Sequence, residues 1–417
     1  MIKLGKIFKK LGPGIITGAS DDDPSGIATY SITGAQSGYS LLWSALFTFP
    51  LMASIQEMCA RIGLVTGRGL AGNMRQHYPK LVLYLIAILV IVSNTINIGA
   101  DISGMAESAH LIIPIPAQYL ALATTILILF LLIKLPYKKI AASLKWLTFA
   151  LFAYIVAALV TKQDWLTIVK STFLPQLTFD QNSISLLVAI LGTTISPYLF
   201  FWQTSEEVEE LEESGKIVKS RKIQIVTKHE LKGMREDVTF GMFFSNLVMF
   251  AIIATTASTL FVKGQKEIQT AAQAASALTP LAGPLASLLF AVGIIGTGLL
   301  AIPVLAGAAA YAVAEIFSWQ EGLDKRFHKA RAFYFVIIVS TVFGFLINLS
   351  GINPFKLLFY TAVIYGLISP ILILAILHLS NKTGVMGKSK NGVLSNTLGI
   401  ITFLIMTATA LSFFFVR

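Results

Sequence analysis

The chain has 417 residues, 55% of them hydrophobic and 13% charged, with a mean hydropathy of +0.75. Soluble domains carry about 25% charged residues, so this composition excludes a soluble protein and defines an integral membrane one. A formal net charge of +11 would suit nucleic acid, but the cations alternate loop by loop instead of forming one basic patch. The single cysteine, Cys59, excludes an intrachain disulfide.

A membrane-spanning helix needs about 20 mostly apolar residues. Such stretches fall near 13–34, 41–65, 81–103, 117–135, 146–161, 184–205, 239–262, 281–313, 332–349, 355–378 and 394–416, about eleven spans. The opening "MIKLGKIFKKLGPG" is basic and no small-residue cleavage site follows it, so it is expected to be a cytoplasmic tail. The first span then carries "TGASDDDPSGIATY", three consecutive aspartates followed by a proline. In the second span, Glu57 and Arg61 have the spacing of a helical ion pair, read as structural. Asp101 follows the polar patch "NTINIGA" in the third span; it either lines a permeation route or satisfies backbone groups.

The sixth span, "AILGTTISPYLFFWQ", carries Pro197 near its centre. The segment 205–237 is acidic in its first half and basic in its second, as expected of a solvated helix and loop; a regulatory or cation-sensing element is the alternative. Pro303 predicts a kink or a split in the long eighth span, and His378 at the end of the tenth is expected to be interfacial. Sorted by loop, 25 Lys and Arg lie on the side of the N-terminus and 6 on the other, with Arg61 inside a span. That bias predicts a cytoplasmic N-terminus and, with eleven spans, an external C-terminus.

The first and sixth spans share one kind of interruption. In each, a residue suited to a helix N-cap precedes a proline, Asp23-Pro24 and Ser196-Pro197, so a second half-helix starts at the proline. The first halves then end at Ser20–Asp22 and Thr193–Ile195, and their last carbonyls lack helical partners. Unpaired carbonyls are tolerated in a membrane only where they line a cavity or bind something. Interruptions in the first and sixth spans make two five-span repeats, with the eleventh span added. Interrupted helices at matching places mark a carrier's binding site.

One aspartate at mid-span costs roughly 2.5–3.5 kcal/mol, so three require water, protons or a cation. Successive helical residues point about 100° apart, so the three cannot all face one ligand. Asp23 is expected to face the site, with Asp22 or Asp21 facing an aqueous vestibule or one of them paired structurally. A carboxylate, carbonyls and hydroxyls form an all-oxygen environment suited to hard cations such as Mg²⁺, Ca²⁺ or Mn²⁺. The five histidines are scattered, and neither a catalytic constellation nor a phosphate-binding glycine loop is present, so no enzyme and no cofactor is expected.

These residues resemble the NRAMP (natural resistance-associated macrophage protein) family of divalent-metal transporters. The resemblance rests on "GPGI" and "DPSG" in the first span and "RIGLVTGRGLAGNMRQHYP" after the second. It continues with "GADISGMAES" in the third and "LAGPLASLLFAVGII" entering the eighth. It implies an all-α integral membrane fold, an inverted 5+5 repeat (LeuT/APC-like) with broken helices 1 and 6. One transporter domain would span 1–417, with repeat one about 13–161, repeat two about 184–378 and an extra helix at 394–416.

The departures carry information. The family's first-span Asp and Asn ligands map to Asp23 and Gly26. Its sixth-span Met-Pro-His maps to Ser196, Pro197 and Tyr198, and a contributing carbonyl maps to Thr193. A third-span acid linked to proton movement maps to Gly104, while Asp101 remains. Losing the Asn and the sulfur is expected to open volume for an ion that keeps part of its water shell. Losing the His and the third-span acid weakens the case for proton coupling. The pattern is similar to the NRAMP-related magnesium transporter branch, which implies Mg²⁺ and Mn²⁺ as transported substrates. The expected metal site is thus Asp23, Ser20, Gly26, Thr193 and Ser196, with Asp22, Asp101 and Tyr198 on the path or its gates, and Pro24 and Pro197 at the breaks. The expected partners are divalent metal ions and the bilayer of the cell membrane, the chain acting as a monomer.

Overall fold

The computed structural model describes residues 12–416 except 137–138, 140–150, 162, 177 and 218–222. The basic N-terminal tail, the start of the expected fifth span and Lys219, Arg221 and Lys222 lie outside the described residues. Every regular element among those described is helical.

The first span is two helices, α1 (Pro13–Asp21) and α2 (Pro24–Ser37). After α3 (Trp43–Thr66) the chain turns at Gly67, whose φ of 61° suits glycine, into the short α4 (Leu70–His77). Then come α5 (Lys80–His110), α6 (Ala117–Lys134), α7 (Phe152–Val160) and α8 (Trp165–Phe173). The sixth span is again divided, into α9 (Gln181–Thr194) and α10 (Pro197–Glu213). There follow α11 (Lys228–Thr256), α12 (Ala286–Phe317), α13 (Arg331–Asn348), α14 (Pro354–Asn381) and α15 (Val393–Phe415).

Among the described residues, eight helical segments are long and apolar enough to cross a membrane. The first span does not reach that length because its halves have 9 and 14 residues. Pro303 does not split the eighth span: α12 runs through it as one helix of 32 residues.

Burial sorts the helices into centre and rim. The apolar window of the α9–α10 segment is 94% buried, against 17% in α15. Large apolar side chains of the rim, such as Phe130, Leu404 and Phe414, are exposed, as a lipid-facing surface requires. The broken helices therefore sit at the centre of the bundle.

Glycines bring the central helices into backbone contact. A Cβ on Gly18 of α1 would collide with the Gly241 carbonyl of α11, and a Cβ on Gly241 with the Gly14 carbonyl. A Cβ on Gly192 of α9 would collide with the Ala362 carbonyl of α14. Lipid supplies no hydrophobic drive between helices, so close packing of small residues takes its place.

Candidate functional site

The first break is built as its sequence predicts. α1 ends at Asp21, Asp22 leaves helical geometry (φ −83°, ψ 51°), and Asp23 is extended (φ −68°, ψ 171°). Proline at the first position of α2 needs no amide partner. Asp23 caps α2: its Oδ1 accepts from the Gly26 amide at 2.7 Å and from Ser25 Oγ at 2.7 Å. Its Oδ2 accepts from Asn97 Nδ2 of α5 at 2.8 Å. The carboxylate is fixed from both sides, and its residue is 1% exposed.

The second break follows the same plan with different chemistry. α9 ends at Thr194, Ile195 departs from helix (φ −114°, ψ 61°), and α10 begins at Pro197. Ser196 occupies the capping position but makes no side-chain cap, contrary to the sequence expectation. Its hydroxyl turns back to the carbonyls of Thr193 at 2.6 Å and Gly192 at 3.1 Å, so it satisfies the end of α9 instead of the start of α10. Ser369 of α14 donates to the Ile195 carbonyl at 2.9 Å. Across the breaks, the Tyr198 hydroxyl of α10 donates to the Ser20 carbonyl of α1 at 2.9 Å.

The two breaks meet at Gly26. A Cβ there would lie 3.1 Å from Thr193 Oγ1, 3.2 Å from the Asp21 carbonyl oxygen and 3.4 Å from Asp23 Oδ1. Three oxygens from both breaks thus converge beside one glycine. A side chain at this position would crowd these oxygens, and glycine leaves them unobstructed. Among the described residues, no group of three or more His, Cys, Asp or Glu suited to holding a metal is found. The arrangement offers one carboxylate with backbone and hydroxyl oxygens, which suits a hard cation that retains water.

Asp21 and Asp22 do not face a vestibule. They are 0% and 3% exposed and turn to α11, where Ser245 Oγ lies 2.5 Å from Asp21 Oδ2 and 3.4 Å from Asp22 Oδ1. The break in the helix is the physical reason: Asp22 leaves helical geometry and Asp23 is extended, so the chain turns the Asp23 carboxylate away from the other two. Toward the N-terminal end of α1, Thr17 donates to Gln203 Oε1 of α10 at 2.6 Å, and Gln203 donates to Glu207 Oε1 at 3.0 Å. Glu207 is buried, as are Ser205 and Glu206, so the start of segment 205–237 is not a solvated face. The Gly14 amide at the start of α1 donates to Asp237 Oδ2 at 2.6 Å.

Glu57 and Arg61 form their ion pair at 3.2 Å, joined by Arg235 at 3.3 Å; the pair stands apart from the breaks. His378 is exposed and bonds the Tyr78 hydroxyl at 2.7 Å. Sequence reasoning missed Asn97, Ser245 and Gln203. Only Asn97 carried a signal, as part of the polar patch before Asp101. It also missed a sulfur near the second break: Met249 Sδ of α11 lies 3.9 Å from Thr194 Oγ1.

Beyond the end of α12, Glu321 is raised above the ordinary carboxylate range by burial and then by the Glu315 carboxylate. A raised carboxylate costs stability as pH climbs above the ordinary value of about 4.3, because the folded form holds its proton more tightly than the unfolded form. Glu321→Gln is expected to raise the thermal midpoint at pH 8 and to change it little at pH 5. Thermal unfolding in detergent at the two pH values checks this; an equal shift at both would refute it.

Two interrupted helices crossing at the bundle centre, each resuming at a proline, define a broken-helix membrane carrier. The chain belongs to the NRAMP family: residues 14–416 match the family described as Natural resistance-associated macrophage protein-like. The divalent metal cation transporter MntH of Deinococcus radiodurans is 26% identical over 390 residues, 92% of this chain and 84% of that one. MntH of Klebsiella pneumoniae is 25% identical over 386 residues, 91% of this chain and 87% of its own. In structure, a mutant of the Eremococcus coleocola manganese transporter superposes with a TM-score of 0.75 at 17% identity, covering 98% of this chain and 87% of that one. MhsT in complex with L-phenylalanine gives 0.63 at 13% identity, covering 97% and 98%. The last two likenesses establish the shared fold.

Proposed function

We propose that the chain carries divalent cations, Mg²⁺ and Mn²⁺, across the cell membrane by alternating access around Asp23, without proton coupling. The observation that carries this reading is the convergence of Asp23 Oδ1, the Asp21 carbonyl and Thr193 Oγ1 beside Gly26. An oxygen-only set with one carboxylate favours hard cations over thiophilic ones. The curated relatives named as divalent metal cation transporters support the substrate class. Tyr198 and Gly104 stand where the family resemblance places proton-linked groups, which supports uncoupled movement. The charge bias of the loops supports a cytoplasmic N-terminus and an external C-terminus. The chain works as a monomer, with repeats of about 13–161 and 184–378.

The test is flux of Mg²⁺, Mn²⁺ and Ca²⁺ in proteoliposomes with simultaneous internal pH. Mg²⁺ and Mn²⁺ uptake at constant internal pH is the expected result; acidification in step with uptake would overturn the uncoupled reading. Met249 near Thr194 favours one second reading, a proton-coupled Mn²⁺/Fe²⁺ importer that uses its sulfur as a soft ligand. That reading predicts acidification and tight Cd²⁺ binding lost in Met249→Leu.

A further inference from the structure

α5 presents a set of buried oxygens that the site above does not use. Asp101 and Asn97 are both 0% exposed. Neither Asp101 oxygen, nor Asn97 Oδ1, has a hydrogen-bond partner. The two residues are four apart on one helix and so share a face, separated by a rise of about 6 Å.

The orientation of Asn97 follows from its neighbour. Asp23 Oδ2 can only accept, so the Asn97 amide nitrogen must face it, as observed at 2.8 Å. Oδ1 therefore points elsewhere. The Tyr365 hydroxyl is near Asn97 but donates to Asn94 Oδ1 at 3.0 Å. Asp101 lies beside the Ser25 amide, in the first turn of α2, without closing a hydrogen bond to it. Its carboxylate thus borders the same helix break that Asp23 caps.

Three buried acceptors are thus left without a hydrogen-bond donor. Burying a charged or polar group unpaired is strongly unfavourable. An acceptor-only set is completed by a proton or by a cation, and three oxygens gathered on one helix face suit a cation. We infer that Asp101 and Asn97 Oδ1 form a second divalent-cation station beside Asp23, occupied in alternation with it during transport. The inference rests on the reading that a divalent cation binds at Asp23. α5 runs from Lys80 away from the side of the N-terminus, so this station lies on the far side of Asp23. A cation from that side meets Asp101 first and passes to Asp23, with Asn97 touching both positions.

The experiment measures Mn²⁺ binding to the full chain in detergent, Mg²⁺ competition, and flux in proteoliposomes. Asp23→Ala, which presents no new donor to Asn97, is expected to retain weak Mn²⁺ binding that Mg²⁺ displaces, and adding Asp101→Asn should remove it. Asp101→Asn alone should keep Asp23 binding within threefold and lower flux about tenfold at subsaturating Mn²⁺. Asp101→Ser, smaller and equally uncharged, covers the case in which the amide does not fit. Residual binding untouched by either substitution at Asp101, wild-type flux in both variants, or residual binding displaced by Na⁺ and not by Mg²⁺ would overturn the second station. Full flux in Asp23→Asn alone would instead overturn the primary site.

Discussion

Asp23→Asn should lower Mg²⁺ and Mn²⁺ flux by about tenfold to a hundredfold while leaving the protein folded. The carboxylate is the one charged ligand at the convergence beside Gly26, and interactions of a charged group contribute about 1.5–3 kcal/mol each, where 1.4 kcal/mol is tenfold. Asparagine caps a helix about as well as aspartate, so the hydrogen bonds from the Gly26 amide and Ser25 Oγ have an acceptor in the variant. Charge is thereby separated from capping. Asp23→Ala should lose flux equally and, in addition, about 1 kcal/mol of stability from the missing cap. Flux assays beside thermal unfolding test both; wild-type flux in the asparagine variant would end the assignment.

Gly241→Ala should destabilise the protein and uncouple α1 from α11. The added methyl would meet the Gly14 carbonyl, a backbone atom that cannot rotate away. Overpacking of this kind costs about 1–3 kcal/mol, and moving α1 also breaks the Gly14–Asp237 hydrogen bond. Flux should fall as well, because α1 carries Ser20 and Asp21 into the break. Gly233→Ala is the control: it lies on the same helix with nothing within 4 Å of its Cβ. There the change relieves a helix-interior glycine and should stabilise by about 0.5–1 kcal/mol. Similar thermal midpoints for the two variants would show that the seam does not hold α1 in place.

Much of the site was legible because it is local. Asp-Pro and Ser-Pro within apolar spans state where a helix stops and where it resumes, since proline lacks an amide and asks for a capped start. Both breaks fall at those positions. What the residues at a break do with their side chains is a different matter. Ser196 and Asp23 hold equivalent places, yet only Asp23 caps, because the Ser196 hydroxyl finds the Thr193 carbonyl one short turn behind it. Asp21 and Asp22 looked like candidates for a water-filled vestibule, and they face Ser245, more than 220 residues away in the chain.

The sequence by itself determined the membrane class, the family, and the two interrupted helices with Asp23 at the first. Each is written in composition, in apolar length or in a contiguous motif. Only the tertiary structure decided which oxygens stand together. Thr193 Oγ1 meets Asp23 Oδ1 beside Gly26, and Asn97 ties Asp23 to α5, because α1, α11, α9 and α14 approach through glycines to backbone contact. Side chains from separate helices converge through the sum of many such packing contacts, and no short stretch of sequence records that sum.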